Sequence, residues 1–145
     1  MTNKENNEKI VMYIVVNNDL DMTKGKICSQ VAHLTQLIVE EVIRQGYELY
    51  PPPPSYFLYM KWRQQCTKII LKATESELKD LMKVSGAKCI IDDGLTQVKP
   101  NSLTVVGFAP NANMEDIMKN FKLLFHLLFG NYFEVSFMNC MRSIK

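Results

Sequence analysis

Residues 10–44 read IVMYIVVNNDLDMTKGKICSQVAHLTQLIVEEVIR, and the fold follows from the change of period inside that stretch. Ile10 to Val16 is an unbroken apolar, largely β-branched run, the pattern of a strand covered on both faces of a sheet. It is expected to be the central strand. Polar Asn17-Asn18-Asp19 interrupts it, and beyond Lys26 the residues Ile27, Val31, Leu34, Ile38 and Val42 recur at helical spacing. The spacing predicts a helix from Lys26 to about Arg44, ended by Gly46. A buried strand, a short polar loop and an amphipathic helix open a layered α/β domain.

The chain beyond repeats the alternation. Pro51 to Pro54 cannot join a central strand or sit inside a helix and is expected to be a stiff loop. A short helix is expected around Tyr56 to Gln65, then a second strand from Thr67 to Ala73. Thr74 and Glu77 have the spacing of a capping box for a helix ending at Gly86. Cys89 to Ile91 and Leu103 to Phe108 read as a third and a fourth strand around the loop 92–101. Asn113 with Glu115 and Asp116 has the composition of a last helix start. No internal repeat or second domain is visible. The expected organisation is a flexible tail over 1–9, one domain over 10–124, and an apolar extension over 125–145.

Composition narrows the function classes. With 145 residues, 47% hydrophobic and 22% charged, the chain has the balance of one globular domain with a core. A net charge of +2 is too small for a general nucleic-acid coat, so any RNA must be held locally. Cys28, Cys66, Cys89 and Cys140 form no CxxC pair and the two histidines, His33 and His126, are far apart, which argues against structural zinc. Single scattered cysteines suit a reducing compartment, and the protein is expected to be cytoplasmic. The polar N-terminal stretch has no apolar signal segment. Residues 121–138 are interrupted by Lys122, His126, Asn131 and Glu134 before a membrane span accumulates.

In an open α/β sheet, ligands gather beyond the carboxyl ends of strands, where loops lead into helix starts. Two polar loops have that address. Asn17 to Lys26 combines backbone N–H groups with Lys24 and Lys26, suited to a phosphate or a developing oxyanion. Asp92-Asp93-Gly94-Leu95-Thr96 brings carboxylates and a hydroxyl. Lys26, Gln30 and His33 fall at i, i+4 and i+7 and share a helix face, about 100° from the apolar line through Ile27, Val31 and Leu34. Taken singly, each feature has a plain alternative: a solvated lysine pair, a structural histidine, an Asp-Gly turn. Their order along the chain carries the case.

That order is specific. Asp19-Leu20-Asp21-Met22-Thr23-Lys24-Gly25-Lys26-Ile27-Cys28-Ser29-Gln30-Val31-Ala32-His33 resembles the D-L-x-M-x-K-G-K-I-x-x-Q-x-A-H signature of the type 2 peptidyl-tRNA hydrolases of archaea and eukaryotes. Asp92 to Val98 resembles that family's D-A-G-x-T-Q segment, Thr104-Val105-Val106-Gly107 its T-V-x-G strand, and Lys122-Leu123-Leu124 its usual ending. The resemblance spans roughly 10–124. It implies a four-stranded mixed sheet flanked by helices on both faces, commonly a homodimer, with no metal or organic cofactor. It assigns the family's functional lysine to Lys26, its aspartate to Asp92 and its threonines to Thr96 and Thr104. Lys24, Gln30, His33, Asp93 and Gly94 fall in the substrate-binding set. The chain departs from the family in having Asn17 where an arginine is usual, Ile91-Asp92-Asp93-Gly94 for R-D-A-G, Pro100-Asn101-Ser102 for P-G-T, and a longer C-terminus.

The implied substrate is peptidyl-tRNA, held by its acceptor end, and the reaction is hydrolysis of the ester between peptide and terminal ribose. No serine or cysteine stands in a nucleophile motif, so direct attack by water is expected, with Asp92 orienting or deprotonating it and Lys26 stabilising negative charge. Two questions stay open: whether Lys26 is catalytic or anchors a phosphate, and whether Asp92 or Asp93 is the reactive carboxylate. Lys61, Arg63 and Lys99 are candidate contacts to the tRNA backbone. The rival class is a binding module that kept the fold and lost turnover. Phe125, Leu127, Leu128, Phe129, Tyr132, Phe133, Val135 and Phe137 are too apolar for water. They are expected to lengthen the last helix and pack on the domain or a dimer mate, the alternative being a helix capped at Gly130 and a loose end.

Overall fold

The computed structural model describes residues 9–125; the expectations for the N-terminal tail and for the apolar stretch 126–145 fall outside the described residues, apart from Lys9 and Phe125. The elements run β1 (Met12–Asn17), α1 (Lys24–Glu48), α2 (Pro54–Trp62), β2 (Lys68–Ala73), α3 (Glu75–Leu81), β3 (Lys88–Asp92), β4 (Ser102–Gly107), α4 (Glu115–Met118) and β5 (Lys122–Leu123). The strands form one mixed sheet in the order β3-β4-β1-β2-β5. β1 is the middle strand and all six of its residues are buried, as its unbroken apolar run requires. It pairs parallel with β2 and antiparallel with β4.

Alternation along β1 divides the core. Met12, Ile14 and Val16 join Leu34, Ile38 and Val42 of α1 and Tyr59 and Trp62 of α2. Val11, Tyr13 and Val15 join Leu78 and Leu81 of α3 with Met114 and Met118 around α4. This is the period-2 consequence of a strand with two buried faces. Among the described residues, no helix is long and apolar enough to cross a membrane.

Five expectations are corrected. The sheet has five strands, not four, because Lys122–Leu123 pairs antiparallel with β2; two residues are too few to display an alternation. Helix α1 does not stop at Gly46 but runs to Glu48. That glycine is a packing residue, since a Cβ there would lie 2.1 Å from the Tyr56 ring of α2. Pro54 is helical, as the first residue of α2, a position where the missing N–H is one of the helix's unpaired donors in any case. α3 ends at Leu81, and the chain turns through Gly86 at φ +84°. The last helix is only four residues long, begins after Met114 and not at an Asn113 cap, has no side-chain cap, and is followed by β5. The Thr74–Glu77 capping box is formed as read.

Candidate active site

The site is assembled where β1 and β3 end. Asn17, the last residue of β1, is 2% exposed; its amide donates to the Leu103 carbonyl of β4 at 2.8 Å and its Oδ1 accepts from Asp19 N at 2.9 Å. This local turn, with Asx geometry, sends the chain off the sheet. Met22 then buries itself in the α1-side cluster, and Thr23 caps α1 by accepting from Lys26 N. Lys26 therefore lies in the first turn of a helix whose seat on the sheet is set by Leu34, Ile38 and Val42.

The second loop is equally constrained. Gly94 stands at φ +76°, and a Cβ there would lie 2.3 Å from Pro100 N, so both its conformation and its surroundings demand glycine. The turn brings Gly94 N back to donate to Asp92 Oδ1 at 2.8 Å, while Asn101 N donates to the Asp92 carbonyl at 2.8 Å. Gln97, also left-handed at φ 62°, aims Oε1 at the first loop, where it accepts from both Thr23 N and Thr23 Oγ1 at 3.0 Å. One amide oxygen thus latches the two loops together.

Between them lies a four-residue chain of hydrogen bonds. Lys26 Nζ donates to Asp92 Oδ2 at 2.5 Å, with both side chains 11% exposed, and lies 3.3 Å from Thr96 Oγ1. Gln30 Nε2 donates to the same Oδ2 at 2.8 Å, and Gln30 Oε1 accepts from Thr104 Oγ1 at 2.9 Å. The Thr104 hydroxyl also lies 3.1 Å from the Ile90 carbonyl. Gln30 and Thr104 are fully enclosed, and among the described residues no buried side-chain polar atom lacks a partner. The amide of Gln30 can point only one way, nitrogen to the carboxylate and oxygen to the hydroxyl.

The Lys26 hydrogen bond, followed by the Gly94 N–H, holds the Asp92 carboxyl below the usual carboxylate range. The charge of Lys26 and the Gln30 amide act in the same direction, and together they outweigh the upward push of burial. Asp92 is therefore ionised at neutral pH and weakly basic. It is better made to hold an ammonium or a water in place than to remove a proton. Lys26, with three N–H groups and two of them directed at Asp92 and Thr96, has one left for a substrate oxygen.

Of the residues singled out from the sequence, Lys26, Gln30, Asp92, Gly94, Thr96 and Thr104 converge. Thr104 sits behind Gln30, out of contact with the surface. Asp93 and His33 are exposed and make no side-chain hydrogen bond among the described residues; Lys24 is exposed, with Nζ 5.9 Å above the Phe125 ring. The buried line of α1 runs through Gln30, Leu34, Ile38 and Val42, so Lys26 and Gln30 continue the buried stripe and do not border it. His33 lies off that line. Asn17, Thr23 and Gln97 were not singled out as site residues. Gln97 belongs to the same motif segment as Thr96, but only its shared contact with Thr23 reveals the latch. Among the described residues no three His, Cys, Asp or Glu side chains converge as a metal site would require.

Comparison with known proteins places this geometry in context. The family model described as "Peptidyl-tRNA hydrolase PTH2" matches residues 10–124. The chain is 34% identical over 119 residues to a peptidyl-tRNA hydrolase of Methanococcus vannielii, covering 77% of this chain and 96% of that one. It is 31% identical over 123 residues to one of Nanoarchaeum equitans, covering 79% and 99%. With the mitochondrial peptidyl-tRNA hydrolase 2 of Bos taurus the identity is 35% over 107 residues, 68% of this chain and 54% of the bovine protein.

Proposed function

The chain belongs to the type 2 peptidyl-tRNA hydrolases, and on that premise we propose that it cleaves the ester between peptide and tRNA through the Lys26–Asp92 pair. Water adds to the ester carbonyl carbon, and the tetrahedral intermediate collapses with release of the terminal ribose oxygen, which takes up a proton. The observation that carries the assignment is the Lys26 ammonium held almost out of water by Asp92 and Thr96. An ammonium fixed this way needs no rearrangement to meet an oxyanion, and it keeps one N–H beyond those given to Asp92 and Thr96. Asp92 orients Lys26 and the attacking water, Thr96 fixes the ammonium from the opposite loop, and Gln30 with Thr104 sets the carboxylate from behind.

The intact hydrogen-bond chain favours an enzyme over a binding module, because an unused site has no reason to bury a fully satisfied Gln30 against a carboxylate. The exposure of Asp93 favours Asp92 as the reactive carboxylate. The reading extends to helices covering both faces of the sheet, supported by the two separate core clusters, to a domain spanning 10–124, to a homodimer and to a cytoplasmic protein. The deciding experiment is turnover of peptidyl-tRNA, with aminoacyl-tRNA as control, by Lys26→Ala, Asp92→Asn and Asp93→Asn proteins of verified fold. The first two are expected to lose activity and the third to keep it. Near wild-type rates in Lys26→Ala and Asp92→Asn would sink the assignment.

A further inference from the structure

The β2–β5 register sets Lys72 directly opposite Lys122. Directly opposed residues of an antiparallel pair share a face with Cβ atoms roughly 5 Å apart, and like charges so placed are destabilising. Which face it is follows from neighbours two positions along: Ile70 and Leu124 both pack in the cluster with α1. The two lysines therefore lie on the α1 side. Lys72 is the penultimate residue of β2, at the end of the sheet where Asn18 N bonds the Ala73 carbonyl at 2.8 Å and the first site loop begins.

Among the described residues no ion pair offsets the two charges. Three acids around this end are engaged elsewhere: Asp19 Oδ2 accepts from Glu75 N at 2.8 Å, Glu75 pairs with Lys79 at 2.6 Å, and Glu77 closes the Thr74 capping box. Among the described residues neither Lys72 nor Lys122 has a carboxylate within ion-pair distance, and neither does Lys24, which lies over Phe125 three residues beyond Lys122. Lys122 is exposed and Lys72 half-buried. A sheet edge that sets two lysines side by side, neither in an ion pair among the described residues, has the chemistry of a phosphodiester site.

We infer that Lys72 and Lys122 bind the RNA backbone of the substrate upstream of its reacting end, an inference that rests on the peptidyl-tRNA reading. The registers align Lys122, Lys72, Val16, Val105 and Ile90 in one row across the sheet, with Ile90 two residues before Asp92. At about 4.8 Å per strand, the lysine pair is roughly 14–19 Å from the β3 end of the site. With about 3.4 Å of rise per nucleotide along a stacked strand, that is roughly four to six nucleotides from the terminal ribose.

The test is the salt dependence of uncharged tRNA binding by wild type, Lys72→Gln/Lys122→Gln and Lys122→Arg. Two phosphate contacts contribute about 1.8 to the log–log salt slope, so between 50 and 200 mM salt wild type should lose about twelvefold more affinity than the double variant. Lys122→Arg should keep the wild-type slope. KM for peptidyl-tRNA should rise in the double variant at constant kcat, while hydrolysis of a peptidyl ester of the terminal nucleoside alone is unchanged. Exposed Lys122→Gln, taken singly, should remove about half of the slope change and serves if the double variant does not fold. An unchanged slope in a folded variant overturns the inference, and so does an equal loss on the nucleoside ester. If wild type does not hydrolyse peptidyl-tRNA, the proposed function falls, while the tRNA slope still decides the lysine pair.

Discussion

Replacing Thr104 by valine removes one hydroxyl from a fully enclosed position and changes almost nothing else in shape. In the folded protein that hydroxyl donates to Gln30 Oε1 at 2.9 Å and lies 3.1 Å from the Ile90 carbonyl. Gln30 is itself 2% exposed, so its amide oxygen has no water to turn to. A buried acceptor left without a donor costs about 1–3 kcal/mol. For a domain of this size, that lowers the melting temperature by about 4 °C per kcal/mol. Gln30→Leu behaves differently: it deletes the acceptor as well, Thr104 still has the Ile90 carbonyl, and leucine suits both the helix and the buried line through Leu34 and Ile38. The double variant Gln30→Leu/Thr104→Val should therefore be more stable than Thr104→Val alone, with a coupling energy of about 1–2 kcal/mol. All three proteins lose the fixed Gln30 donor to Asp92, so kcat on peptidyl-tRNA should fall on the order of tenfold in each, the usual worth of one hydrogen bond to a charged group. Urea unfolding and single-turnover hydrolysis read the two effects separately. Additive stabilities, or a Thr104→Val protein as stable as wild type, would refute the claim that Thr104 exists to satisfy Gln30.

Because the Asp92 pKa is depressed, chiefly by Lys26, the pair contributes stability that is complete above the ordinary carboxylate value of about 3.9 and is lost as pH falls through the lower folded-state value. The acid limb of kcat/KM should accordingly lie below the usual carboxylate range, and the acid loss of unfolding free energy should be smaller in Asp92→Asn; a limb at or above the ordinary value would contradict the pairing. Gly94→Ala must move the Pro100 backbone and adopt φ +76°. It should cost at least about 1 kcal/mol of stability and more than tenfold in turnover, checked by melting and single-turnover rates. Alanine for glycine inside a helix normally gains about 1 kcal/mol, yet Gly46→Ala should lower the melting temperature because the new methyl meets the Tyr56 ring. Adding Tyr56→Ala should reverse the sign of the Gly46 effect, and failure to do so would remove the contact from the account.

What could be read from residues alone was whatever a local period records. Ile10 to Val16 announced a strand with two buried faces because no polar residue interrupts it, and the Thr74–Glu77 spacing fixed a cap because both partners lie in one turn. Gly46 was misread since its glycine answers to Tyr56, ten residues away in another helix, and not to its own backbone. β5 was missed because it is only two residues long and its one partner strand lies about fifty residues earlier.

The site shows the same division more sharply. The motif placed Lys26, Gln30 and His33 on one stripe as apparent equals, yet helix position constrains only angle; depth is decided by what the stripe faces. Gln30 meets the sheet and becomes a buried relay to Thr104, Lys26 meets Asp92 at the rim, and His33 is exposed and makes no side-chain hydrogen bond among the described residues. Since a group must reach the substrate to act on it, that difference in depth separates the roles. In the proposed mechanism Thr104 acts through Gln30 and Gln30 through Asp92, and the ammonium of Lys26 is the end of the hydrogen-bond chain nearest solvent. A polar residue in line with Leu34 and Ile38, which an amphipathic reading assigns to solvent, is thereby the strongest structural sign that this carboxylate is held for a purpose.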